Sequence, residues 1–218
     1  MAKIHRQVLD QTRQKLLNQL SFLKGKDFYL AGGTALALQL GHRTSIDFDF
    51  YTLQKFDPHQ LLRQLKSKLN LPLQSLFSDE ETLRLLINGV ETSFFFYPYQ
   101  LIAPLVEYSR GVELAALPDL AAMKAVAIVQ RAKKRDFYDF YYLLTHTFSL
   151  EKILSFVSQK YPEYDFGHIL VALVYFEEVE KDNEEERIRL LGSWPSWEEI
   201  KRRIIDEVRN YQLKSARE

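Results

Sequence analysis

Two short runs of residues could do chemistry together. Gly32-Gly33-Thr34 is followed, twelve residues later, by Asp47-Phe48-Asp49. Side chains alternate along an extended segment, so Ile46, Phe48 and Phe50 share one face and Asp47 and Asp49 share the other. Asp is a poor strand residue, and two on one strand face call for a reason. Their carboxylates would lie roughly 5–7 Å apart and repel by about 2–3 kcal/mol at an effective dielectric of about 20. A divalent cation removes that repulsion, and Mg2+ takes one or two protein carboxylates together with substrate phosphate oxygens. Taken alone, the pair reads equally well as a half-exposed edge strand with two solvated acids.

The elements around the pair favour the chemical reading. Residues 27–31 form an expected strand, and residues 34–40 an expected helix opened by Thr34 as N-cap. A strand, a Gly-Gly turn and a helix N-terminus present backbone N–H groups and a partial positive charge to a phosphate. An acidic strand next in the chain makes the combination one for a nucleoside triphosphate (NTP) held with Mg2+ or Mn2+.

A second candidate region lies further on. Leu120, Lys124, Ala127, Ile128 and Arg131 recur at the spacing of one helix face. Lys124 in the middle of that apolar stripe either brings its ammonium out at a cleft edge or snorkels to bulk water. Phe137, Phe140, Tyr141 and Leu144 form the next stripe and turn Asp136 and Asp139 to another face. There the two acids read simply as an exposed, charged helix start, favourable in a first turn. That reading does less for the cations Lys124, Arg131, Lys133, Lys134 and Arg135, which could hold a triphosphate or an RNA backbone.

These residues resemble a known family. Gly32-Gly33-Thr34-Ala35-Leu36, His42-Arg43, Ser45 and Asp47-Phe48-Asp49-Phe50 are similar to the first motif of the AbiEii/AbiGii toxin group of nucleotidyltransferases, within the DNA-polymerase-beta-like superfamily. Pro118-Asp119-Leu120-Ala121-Ala122-Met123-Lys124 and Arg131-Ala132-Lys133-Lys134-Arg135-Asp136-Phe137-Tyr138-Asp139 resemble its later motifs in order and spacing. The resemblance implies metal ligation by Asp47 and Asp49. It implies nucleotide contacts from Gly32, Gly33, Thr34, Arg43, Ser45, Arg131 and Arg135, and catalytic roles for Lys124 and Asp136, with Lys124 on triphosphate oxygens. It implies transfer of a nucleoside monophosphate to an acceptor hydroxyl by the toxin of a toxin–antitoxin or phage-defence pair. The acceptor is then an RNA, often tRNA, and the partner a cognate antitoxin. One position departs from the pattern: Ser93 stands where a third carboxylate is expected, leaving Glu91 or Asp136 to supply it. A small-molecule nucleotidyltransferase of the aminoglycoside type and a non-catalytic binding module are the alternatives.

Composition sets bounds. The chain has 218 residues, 46% hydrophobic, enough to bury a real core. It lacks cysteine, which excludes disulfides and thiolate chemistry. Its 29 basic and 29 acidic residues cancel, so any nucleic-acid contact must use a local patch. Without an eighteen-residue apolar run or a signal-peptide layout, the expectation is a cytoplasmic protein with no membrane contact.

The expected fold class is α+β: a small mixed nucleotidyltransferase-type sheet with helices over residues 1–108, then a helical region over 109–218 completing the active-site cleft. The pattern predicts helices over 3–24 and 58–69 and strands near 73–77, 82–87 and 90–97, the last two joined by an Asn88-Gly89 hairpin turn. Beyond Pro104 it reads as mainly helical. Seven acids and one Lys over residues 177–186 suggest a solvated helix, and Ser196 with Glu199 suggests a capped final one.

Overall fold

Burial alternates cleanly along Phe48–Thr52 (β2), with Phe48, Phe50 and Thr52 inside and Asp49 and Tyr51 half-exposed. That strand is the middle of a seven-stranded mixed sheet ordered β3-β4-β5-β2-β1-β7-β6. The others are Tyr29–Ala31 (β1), Leu73–Ser78 (β3), Thr82–Ile87 (β4), Val90–Phe96 (β5), Val106–Ser109 (β6) and Val112–Leu114 (β7). β2 runs antiparallel to β1 and parallel to β5. The computed structural model describes residues 3–109, 111–181 and 189–216. The chain divides into two units, Met1–Ala116 and Leu117–Glu218.

In the first unit the expected helix over 3–24 is broken. A 3-10 turn at Arg6–Val8 precedes Gln11–Gln19 (α1), and a second 3-10 segment covers Leu20–Lys26. Asp10 causes the break: its backbone is extended, and its side chain caps α1 by accepting from the Arg13 N–H. Leu16, Leu17, Leu20 and Leu23 are nevertheless all buried. Gly32–Leu40 (α2) and Pro58–Lys68 (α3) complete the unit's helices, α3 beginning at the Asp57-Pro58 signal. The hairpin turn between β4 and β5 has positive φ at both Asn88 and Gly89, as a tight two-residue connection requires.

The strands β6 and β7 depart from the helical expectation beyond Pro104. Val112 and Leu114 alternate with Glu113, and Leu114 pairs with Leu30, extending the sheet past β1. Runs of three and four residues carry too little periodicity to be read from sequence. Residues 109–116 thereby stay with the first unit.

The second unit is helical: Leu117–Arg131 (α4), Lys134–His146 (α5), Leu150–Lys160 (α6), Phe166–Val174 (α7) and Trp197–Ser215 (α8). Helix α4 packs against α5, α6 and α7. A full capping box of Ser196 and Glu199 opens α8. Of the acidic run over 177–186, residues 182–186 lie outside the described residues. No described helix is long and apolar enough to cross a membrane.

Candidate active site

The Gly-Gly turn and the acidic strand are joined by sheet pairing. Antiparallel register sets Ala31 opposite Asp49, so the chain leaving β1 passes directly over that carboxylate. Gly32 has φ +63°, and a Cβ there would come within 2.9 Å of Asp49 Oδ2. Both conditions select glycine, because a side chain would be strained and would displace the acid. Helix α2 therefore starts at Gly32 itself, with Ala31 as its N-cap and no side-chain cap.

Thr34 is not the N-cap that the sequence suggested. It is buried, and its hydroxyl donates to the Asp47 carbonyl oxygen at 2.5 Å and lies 2.6 Å from Ser45 Oγ. It fastens the helix to the residues preceding β2. Two more bonds fix the same stretch: the Ser45 N–H donates to the Val8 carbonyl, and Arg13 Nε donates to the Ile46 carbonyl at 2.8 Å. Residues 45, 46 and 47 are thus each held by a different part of the unit. Arg13 went unnoticed in the sequence, since a cation in an amphipathic helix gives no sign of a partner thirty-three residues away. Arg43 is buried too, one guanidinium nitrogen donating to the Thr44 carbonyl at 3.0 Å.

Asp47 lies just before β2 and Asp49 within it, both half-exposed. Parallel pairing sets Ser93 beside Asp49. Glu91 lies two residues before Ser93 on the same face and is engaged by the Arg84 guanidinium from β4. Among the described residues no group of three or more acids, histidines or cysteines could hold a metal ion. Two carboxylates, a hard oxygen donor set, fit Mg2+ or Mn2+ in kind, provided that substrate phosphates complete the shell.

The second candidate region is built otherwise. Helix α4 ends at Arg131, Ala132 turns the chain with φ +42°, and α5 begins at Lys134. This tight connection folds α5 back along α4. Lys124, only 3% exposed, places its ammonium 2.7 Å from Asp136 Oδ1 and 2.7 Å from Asp139 Oδ2. Arg131 adds a fork onto Asp136, Nε at 2.8 Å and Nη2 at 2.9 Å. Burial pushes the Asp136 carboxyl up, but the Lys124 charge and the Arg131 bonds outweigh it and hold the group at about 2.

Lys124 therefore does not snorkel, and the two acids are not an exposed helix start. Both acids are fully buried, because α5 packs on more than its aromatic stripe. Arg135 is half-buried, and Lys134 lies over the Trp197 ring at 5.1 Å. A further buried pair, Lys160 to Asp119 at 2.8 Å, ties α6 to the first turn of α4.

Comparisons with known proteins agree with this architecture. The family model described as nucleotidyl transferase AbiEii toxin, Type IV TA system, matches residues 15–211. The chain is 38% identical over 210 residues to the uncharacterized protein aq_aa25 of Aquifex aeolicus (strain VF5), covering 94% of this chain and 98% of that one. JHP933 from Helicobacter pylori superposes with TM-score 0.60 at 20% identity, over 99% of this chain and all of that one. MenT4, the nucleotidyltransferase toxin Rv2826c of Mycobacterium tuberculosis H37Rv, superposes with TM-score 0.60 at 17% identity, over 89% and 82% of the respective chains. The match across nearly the whole chain places this protein in the AbiEii family of nucleotidyltransferase toxins.

Proposed function

We propose that the protein transfers a nucleoside monophosphate from an NTP to a hydroxyl of an RNA acceptor, tRNA being the leading candidate, in the presence of Mg2+ or Mn2+. The observation that carries this reading is the close approach of the Gly32 backbone to the Asp49 carboxylate at the start of α2. It sets a helix N-terminus, suited to a phosphate, beside a carboxylate, suited to a hard cation. The acceptor oxygen forms a bond to the α-phosphorus, the bond from that phosphorus to the bridging β-phosphate oxygen breaks, and pyrophosphate leaves. A divalent ion on Asp47 and Asp49 would offset the charge on the phosphates. The backbone N–H groups of Gly32 and Gly33 orient the triphosphate, and Thr34, Ser45 and Arg13 hold Asp47 in position. Ser93 is not a base near neutral pH, so the acceptor proton passes to water.

In the second unit, Lys124 has two of its three N–H donors on carboxylates. In this reading Lys124 and Asp136 act as a fixed charge network. Arg131, with its side chain 47% exposed, and Arg135 are proposed as the nucleotide contacts that their motif implies. The biological setting is a cytoplasmic toxin restrained by a cognate antitoxin.

The test is direct. Purified protein with Mg2+, each labelled NTP in turn and total RNA should label RNA, and EDTA should stop the labelling. Expression alone should slow bacterial growth, and Asp47→Asn should relieve it at equal soluble expression. Label on a small hydroxylated compound instead of RNA would overturn the acceptor assignment. Undiminished toxicity of Asp47→Asn would overturn transfer as its cause.

A further inference from the structure

The face of the sheet that carries Asp49 continues as a row of aromatic side chains, buried at Tyr29 and half-exposed at Tyr51 and Phe95. Sheet register sets Arg84, Ser93, Asp49 and Ala31 in one row across β4, β5, β2 and β1. Two residues further along, on the same face by alternation, Phe95 pairs with Tyr51 and Tyr51 with Tyr29. The Tyr51 and Phe95 rings lie 5.2 Å apart, Tyr51 and Tyr97 5.0 Å, and Tyr97 and Tyr99 4.8 Å. The series leads out of the sheet, ending at Tyr99, which is 40% exposed. Cross-strand aromatic pairing explains Tyr51 against Phe95. It does not explain Tyr97 and Tyr99, which follow the end of β5.

We propose that Tyr97 and Tyr99, backed by Tyr51 and Phe95, are the stacking surface for the unpaired terminal bases of the RNA acceptor. The inference rests on the transfer reading above and specifies which part of the acceptor is held, and where. Single-stranded RNA is recognised by splaying bases onto aromatic side chains, and such stacking tolerates any base because each has a π face. Continuity decides the occupant. The aromatic row starts one strand period, about 6.6 Å, beyond Asp49, so a strand whose terminal hydroxyl reaches the acids lays its preceding bases along the rings. Arg84, in the Asp49 row, has its side chain 46% exposed while pairing with Glu91.

The experiment uses the full chain with a short single-stranded RNA and separately with NTP. Tyr97→Ala and Tyr99→Ala should each raise the Kd and KM for RNA by about five- to a hundredfold, the scale of losing one stacked base. The KM for NTP should stay unchanged, and Tyr99→Trp should retain RNA affinity. An unchanged RNA KM in both alanine variants would overturn the proposal, as would a rise in the NTP KM in place of the RNA one. An equal loss in Tyr99→Trp would also overturn it. If wild type labels no RNA while still binding the oligonucleotide, and the alanine variants lose that binding, the transfer reading fails and this surface stands.

Discussion

Asp47 and Asp49 in the first unit and Asp136 and Asp139 in the second are both closely spaced acid pairs beside a helix start, and the fold treats them oppositely. The second pair is fully buried and closed by Lys124 and Arg131, so its charge is balanced inside the protein. The first is half-exposed, with a glycine backbone against one carboxylate and hydrogen bonds fixing the residues around the other. A buried, internally neutralised pair organises structure and resists titration. A partly solvated pair held in place by its backbone is suited to receive an ion and a phosphate from outside. Similar residues at similar spacing thus meet different surroundings, and depth of burial is the difference.

Removing charge from each pair should have opposite effects on stability and transfer. Asp47→Asn and Asp49→Asn should lower transfer by about a thousandfold or more, the scale of losing a main electrostatic contact to the reacting phosphates. Their urea midpoints should fall by less than that of Lys124→Met, because both acids are half-exposed. Unfolding of either variant would put the first pair in the same structural class as the second.

Lys124→Met should do the reverse. It keeps most of the stem but leaves Asp139 buried without the ammonium and Asp136 with Arg131 alone. Breaking a buried pair from one side costs about 3–5 kcal/mol, read as a lowered urea midpoint at pH 7. A variant that folds with wild-type stability and only loses transfer would show that Lys124 works on substrate rather than on the two acids.

Gly32→Ala acts on the first pair through the backbone. The left-handed backbone costs an alanine about 1–2 kcal/mol. The added methyl pushes on Asp49 Oδ2, and a misplaced reacting group costs up to about a hundredfold in rate. Thermal melting and kcat should both fall, kcat the more steeply. Normal kcat in a destabilised variant would mean that the contact with Asp49 is incidental.

How far these two sites could be read from sequence follows from the range of the forces that build them. The Gly-Gly turn, the alternation through Phe48 and Phe50, the Asn88-Gly89 hairpin and the Ser196 cap are local, and local spacing displayed them. Thr34 was placed in the right element but given the wrong partner, since a threonine at a helix start caps far more often than it bridges to a distant carbonyl. The burial of Asp136 and Asp139 was invisible because it depends on Lys124, twelve and fifteen residues earlier, turning inward. An apolar stripe interrupted by one lysine looks the same whether the lysine meets water or two carboxylates. Arg13 and the short strands β6 and β7 were missed for the same reason: their partners are remote and their own runs too short to carry a period.

The smallest expected effect concerns the pH response of the second pair. The folded Asp136 carboxyl sits at about 2, below its ordinary value of 3.8. A group depressed in the folded state stabilises it fully above the unfolded value, and that contribution is lost as pH falls through the folded one. The window therefore runs from about pH 4 down to about 2, and the contribution is at most about 2 kcal/mol. Other carboxylates also titrate there, so the readout is the gap in unfolding free energy between wild type and Asp136→Asn. That gap should be flat from pH 7 to 5 and should narrow below pH 4 as wild type loses what the variant never had. A gap that changes between pH 5 and 7 would mean that burial prevails over Lys124 and Arg131. The second pair would then be an uncompensated acid site, and its contrast with Asp47 and Asp49 would collapse.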